Sequence, residues 1–194
     1  EFAGTKNDLN LFSNIDDNNN NGFAGKLNIN QSIIKQDSLW NLDAFVDTDY
    51  IQEEFRNIEG LYNPEFNRDW NINATTTNGL NSNFGDQVLF SAGTRAFHDK
   101  KGNANYLFDH LGFSNTFSGN KHTVNAKLFL NEKLTINTNS SILNSNATES
   151  TSTFFRTYND ARYNFKKSWI GGRFSAENNE QKETETNNFT DLSQ

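Results

Sequence analysis

The sequence predicts an all-β protein, an antiparallel meander of about ten strands that forms part of a transmembrane β-barrel, with residues 1–194 as one segment of it. Three observations carry the prediction. Apolar and polar side chains alternate with period two from one end of the chain to the other, as in Val124-Asn125-Ala126-Lys127-Leu128-Phe129-Leu130. Several alternating segments run to ten residues or more, the length a tilted strand needs to cross a bilayer, where soluble strands average about five or six. Aromatic residues stand at segment ends: Trp40 and Tyr50, Trp70, Tyr158 and Tyr163, and Trp169.

The elements follow in order. Phe2 to Lys6 is a short first strand, and the polar loop near 14–22 separates it from a second over Phe23 to Lys35. A tight turn, Lys35-Gln36-Asp37-Ser38, leads to the clearest strand. Its Trp40, Leu42, Ala44, Val46 and Tyr50 share one face, while Asn41 and the acidic Asp43, Asp47 and Asp49 share the other; Phe45 is the one misfit. That acidic face is expected to look into a lumen. The rhythm stops over a long loop near 52–67, which holds the chain's one proline, Pro64. It restarts with Trp70, Ile72, Ala74 and Thr76, and Asn78-Gly79 is a turn signal. Further strands are expected over Val88 to Phe97, Ala104 to Phe117, His122 to Leu130, Leu134 to Leu143, Thr153 to Phe165 and Trp169 to Glu177. Ser118-Gly119-Asn120-Lys121 and a polar loop near 144–152 read as connections, and the Glu- and Asn-rich stretch after Glu177 as a loop.

Composition narrows the function classes. Apolar residues make up 34% of the chain, too few to fill a sandwich core from two sheets but enough for the single apolar face of a barrel. The net charge of -7 argues against nucleic-acid binding, which needs clustered Lys and Arg. The absence of Cys removes disulfides and thiolate metal sites. The chain opens on Glu1-Phe2, has no Met and shows no signal segment, so it is expected to be an internal piece of a longer exported protein.

Two phrases of sequence carry a resemblance. Asp8-Leu9-Asn10-Leu11-Phe12-Ser13, followed by Asp16, Asp17, Gly22 and Ala24, is one. Phe55-Arg56-Asn57-Ile58-Glu59, followed by Glu65-Phe66-Asn67-Arg68-Asp69-Trp70-Asn71, is the other. Over its first 70 or so residues the chain resembles the very large outer-membrane barrels of Bacteroidota, most of all the SprA-type translocon barrels of the type 9 secretion system. The resemblance implies a non-enzymatic segment of a protein-conducting pore in the cell outer membrane. It implies as partners outer-membrane lipid and LPS, barrel-associated and periplasmic plug proteins, and secreted protein substrates. A TonB-dependent nutrient transporter barrel and a soluble secreted carbohydrate-binding or adhesive β-domain stand as alternatives.

No constellation of residues points to catalysis. Asp17, Asn19 and Asn21, with Gly22 at a bend, fit the start of a Ca2+ loop. The closing carboxylate is missing, since the twelfth position is Asn28, so an Asx-rich turn is the preferred reading and Ca2+ the one cofactor to consider. His98, His110 and His122 do not make a zinc site if turns lie near Lys101 and Gly119, because His110 is then roughly 23 Å along the strand from the others. Glu59, Glu65, Arg68 and Asp69, around Phe66 and Trp70, are expected to form an ion-pair cluster that anchors the Pro64 loop to the barrel.

Overall fold

The computed structural model describes residues 1–7, 20–56, 65–72, 85–114, 116–148, 150–183 and 189–191. Nine strands pair in chain order as a single open antiparallel sheet: β1 (Phe2–Lys6), β2 (Asn21–Ile34), β3 (Asn41–Ile51), β4 (Gln87–His98), β5 (Gly102–Phe113), β6 (Phe117–Phe129), β7 (Leu134–Ala147), β8 (Ser150–Asn164) and β9 (Trp169–Glu183). A three-residue strand, β10 (Phe189–Asp191), continues the order beside β9. Among the described residues one short helix, α1 (Phe66–Asp69), falls between β3 and β4 in the chain. Among the described residues no helix is long and apolar enough to cross a membrane, which leaves crossing by strands untouched.

Connections differ between the two ends of the sheet. At one end residues 35–40, 99–101, 130–133 and 165–168 are short turns. The turn after β6 is built by Asn131, whose side-chain oxygen accepts from the backbone N–H of Lys133 at 2.8 Å and Leu134 at 2.7 Å. The strand ends joined by the long connections, 7–20 and 52–86, are at the opposite end, as are those joined by 114–116 and 148–149.

The alternation forecasts the ladder well and its interruptions poorly. The β5–β6 turn is Ser114 to Thr116, and Ser118, Gly119, Asn120 and Lys121 are ladder residues of β6 paired with both neighbours. Likewise β9 runs on to Glu183, because Asn178, Asn179, Glu180 and Gln181 each find a register partner on β8. The segment Trp70–Ile72 is not a strand: it follows α1 as a turn, with Asn71 at φ 52°. Ala74, Thr76 and the Asn78-Gly79 signal lie outside the described residues.

Register settles the misfit at Phe45. Its row pairs it with Gly93 on β4, and the phenyl ring lies where a Gly93 side chain would be, 2.6 Å from the position of a Cβ. The backbone oxygen of Tyr106 is equally close. Gly172 on β9 has nothing within 4 Å of its own Cβ position. Replacing Gly93 by Ala is therefore expected to cost about 1–3 kcal/mol in a urea-unfolding midpoint through overpacking, and Gly172→Ala to be neutral within about 0.5 kcal/mol. Equal effects from the two would refute this packing.

Candidate functional site

Residues in one register row of an antiparallel sheet point to the same side, so the pairings sort every strand residue onto one of two faces. One face collects the charges. On it stand Lys26 of β2, Asp43, Asp47 and Asp49 of β3, Arg95 of β4 and Asp109 of β5. Lys121 and Lys127 of β6, Arg156, Asp160 and Arg162 of β8, and Arg173, Glu177 and Glu183 of β9 complete it. On the opposite face, among the described residues of β2–β9, the only Asp, Glu, Lys or Arg are Glu180 and Lys182 at the long-connection end of β9.

The uncharged face is apolar and bare. Leu27 is 54% exposed, Ile29 51%, Ile170 64% and Phe174 62%. Its apolar band also crosses the register obliquely. Tyr50 is the last apolar residue of β3 on this face, and its row runs through Val88, Gly112, Ser118, Asn146 and Thr151 to Lys182 on β9. On β9 apolar side chains begin at Ala176, six positions nearer the short-turn end. A drift of about one residue per strand, at 3.4 Å per residue and 4.8 Å between strands, corresponds to a band crossed by strands tilted about 35°. Aromatic pairs border the band: Phe23 with Tyr50, 5.4 Å between centroids, at the long-connection end, and Tyr163 with Phe165, 5.0 Å, at the other. Trp40 packs edge-on against His98 at that same short-turn end. Tyr158 and Trp169, by contrast, stand on the charged face, and Trp70 is not on a strand at all.

The buried apolar cluster of the described residues lies on the charged face, near its long-connection end. Leu111, Phe113, Phe117, Leu143 and Phe154 gather there beneath Trp70, which is only 4% exposed. The indole meets the sheet over Gly119, where a Cβ would come within 3.2 Å of it, and the Lys121 ammonium sits 4.4 Å from its centroid. Asn71 extends the attachment: its side-chain amide donates to Ser152 Oγ on β8 at 2.9 Å and exchanges two 3.0 Å hydrogen bonds with the Asn179 amide on β9. Asp69 pairs with Arg156 at 3.7 Å, and Arg156 also with Glu177 at 3.3 Å. Residues 65–72, between β3 and β4 in the chain, thus dock across β5–β9 on the charged face and form a strap over it. Asp86 fixes its root, accepting from Tyr50 Oη at 2.8 Å and from Glu53 N–H at 3.1 Å.

This corrects the expected anchor. Among the described residues Arg68 pairs with Glu65 alone, at 3.4 Å, and both side chains are about two-thirds exposed, a pair of little energetic value. Glu59 lies outside the described residues. Of the expected set, Trp70 and Asp69 hold the strap; Asn71, which the sequence did not single out, contributes its most specific contacts.

The acidic strand face forms as expected, with Asp43, Asp47 and Asp49 on one side of β3. Asp43 accepts from Ser32 at 2.5 Å, Asp47 from Asn28, and Asp49 pairs with Lys26 at 3.3 Å. In the Ca2+ reading, Asp17 and Asn19 lie outside the described residues, and Asn21 is the first residue of β2, paired with Lys6. Among the described residues no group of three or more His, Cys, Asp or Glu is arranged to hold a metal. The histidine spacing needs correction: with the turn at Ser114–Thr116, His122 pairs with Phe108 and is a diagonal neighbour of His110, roughly 7 Å away. Each has its own partner, Tyr106 Oη at 2.8 Å for His122 and Asn120 Oδ1 at 2.9 Å for His110.

Comparison with protein-family models, with curated proteins and with solved structures finds no match to this chain.

Trp70→Ala is expected to remove about 3–5 kcal/mol of strap docking and to speed tryptic cleavage after Arg68 at least about tenfold. Arg68→Ala, followed with a nonspecific protease, is expected to leave the cleavage rate within about twofold. A larger effect at Arg68 than at Trp70 would restore the ion-pair account.

Proposed function

We propose that the chain is an arc of the wall of a transmembrane β-barrel in the outer membrane, with the uncharged face against lipid and the charged face lining an aqueous lumen that the strap narrows. One observation carries the reading: the two faces are partitioned by charge, and the uncharged one is left bare although it is the more apolar. In a water-soluble domain the apolar face is the one that gets covered. Here a buried apolar cluster forms on the other side, under Trp70. A lipid-facing surface needs no cover, excludes charge at a cost of about 2–4 kcal/mol per Lys or Arg at the bilayer midplane, and is crossed by strands tilted about 35–45°. The bare face, its lack of charge and its oblique band each fit one of these requirements.

Within that reading, the resemblance to SprA-type barrels favours protein as cargo. A lumen wall of Asn, Ser, Thr and balanced charges, with the buried apolar cluster of the described residues sealed beneath the strap, offers a passing polypeptide little to stick to outside the exposed rings of Phe129, Tyr158 and Trp169 near the short-turn end. The strap then sets the free width of the lumen at the long-connection end.

Val124 and Asn125 are consecutive on β6 and point to opposite faces. Val124 is 44% exposed, so an arginine there would be tolerated in water. In phospholipid vesicles Val124→Arg is expected to cost about 2–4 kcal/mol in a urea-unfolding midpoint and Asn125→Arg less than about 1 kcal/mol. Equal tolerance of both, or folding of the unmodified chain without lipid or detergent, would exclude the barrel.

A further inference from the structure

The basic side chains that β6, β8 and β9 place on the charged face fall into two groups. Lys121 and Arg156, near the strap, are neutralised, the first 3.8 Å from Asp109 and the second between Asp69 and Glu177. Lys127, Arg162 and Arg173, toward the short-turn end, form no ion pair among the described residues. Each instead lies over an aromatic ring: Lys127 5.6 Å from Phe129, Arg162 4.8 Å from Trp169 and Arg173 5.2 Å from Tyr158. The register brings them together, since Lys127, Asn137, Asp160 and Arg173 are one row and Phe129, Thr135, Arg162 and Gly171 belong to the next on the same face.

These rings lie outside the buried apolar cluster of the described residues. Trp169 is 61% exposed and Tyr158 37%, on a face whose apolar cluster is elsewhere. Gly171 leaves room for the Trp169 ring to lean over the strand, 3.4 Å from its Cβ position. Stacking holds a guanidinium flat; Arg162 donates its Nε–H to Asn164 Oδ1 at 2.9 Å, which fixes the plane further and leaves the terminal N–H groups for a carboxylate. Asp160 and Asn137, joined at 2.8 Å, supply an acceptor and an amide between the cations.

We infer that this platform binds an acidic oligosaccharide, a uronate-containing glycan, with Arg162 and Arg173 on its carboxylates and Trp169 and Tyr158 against the apolar faces of its sugar rings. Trp169 and Arg173 are four residues apart, roughly 13 Å along the strand, a span that fits an oligomer and not a single anion. Charge complementarity selects the anion, and the exposed rings select a ligand with flat C–H faces. An acidic peptide satisfies the first requirement and leaves the rings unused. The inference does not depend on what covers the opposite face.

The test is binding of hexagalacturonate to the full chain refolded in zwitterionic detergent, by titration calorimetry at about 0.15 M salt. Maltohexaose serves as the neutral probe and hexaglutamate as the peptide probe. Hexagalacturonate is expected to bind at least about tenfold more tightly than either, and Arg162→Gln with Arg173→Gln to abolish the preference over maltohexaose. Trp169→Ala, which keeps every charge, is expected to weaken hexagalacturonate about tenfold, whereas Lys101→Gln on an exposed turn leaves it within about twofold. Absence of hexagalacturonate binding, equal binding of hexaglutamate or maltohexaose, or indifference to Trp169→Ala would each overturn the proposal.

Discussion

Consecutive strands of this sheet pair residue for residue, with a single slip between Ser32 and Ile34 where β2 meets β3, and that continuous ladder decides which surroundings each side chain meets. A strand in a ladder cannot turn about its own axis without losing backbone hydrogen bonds on both sides, so parity is inherited from neighbour to neighbour across the whole sheet. A shift of one residue anywhere would carry Asp47 or Arg162 to the face that now holds Val46 and Ala161. The ladder therefore turns a local alternation into two surfaces of opposite chemistry, one with fourteen charged side chains between β2 and β9 and one with two. The slip at Ile33 falls at the end of β2, next to a turn, where it disturbs the fewest partners.

On the charged surface the strap depends on the same ladder in a second way. Gly119 stands in the row of Leu111 and Ser145, and its missing side chain opens the shallow seat that Trp70 fills. Leu111 and Leu143, the largest fully buried side chains, flank that seat from the neighbouring strands. Burial of one indole outweighs the exposed Glu65–Arg68 pair by several kcal/mol, because solvent screens the pair while the indole leaves water altogether. Asn71 adds direction: an amide that must meet both Ser152 and Asn179 holds the strap at one place on the sheet.

Strands were legible in the sequence wherever alternation was strict, and β3 with its Trp40-to-Tyr50 rhythm is the clearest case. Boundaries were legible where a turn is built from its own side chains, as with Asn131. Polar composition misled at three places, one of them the loop expected near 144–152, where Asn144, Ser145 and Asn146 of β7 pair with Thr153, Ser152 and Thr151 of β8. Ser118-Gly119-Asn120-Lys121 looks like a turn, yet its Gly is there for Trp70, and the real turn is three ordinary residues earlier. The run after Glu177 looks like a loop, yet as far as Glu183 β8 offers each residue a register partner. Trp70 and Ile72 mimic a strand face because a side chain two residues away also points inward in a turn that lies flat on a sheet. The acidic face of β3 followed from parity alone. The strap's true attachment did not, since Asn71 meets a residue 108 positions further on, and no local pattern encodes such a partner.

The account rests on the claim that the uncharged face meets hydrocarbon and the charged face meets water. The chain has no Cys, so single cysteines can be placed at will and spin-labelled. Labels at Val46, Ala126 and Phe174 on one face, and at Asp47, Asn125 and Ser175 on the other, report collision with oxygen dissolved in lipid and with a water-soluble nickel chelate in phospholipid vesicles. The account predicts oxygen contact at the first three positions, nickel contact at the second three, and a reversal between adjacent residues on every strand. Nickel contact on both faces, or protection of the uncharged face from both reagents, would contradict it.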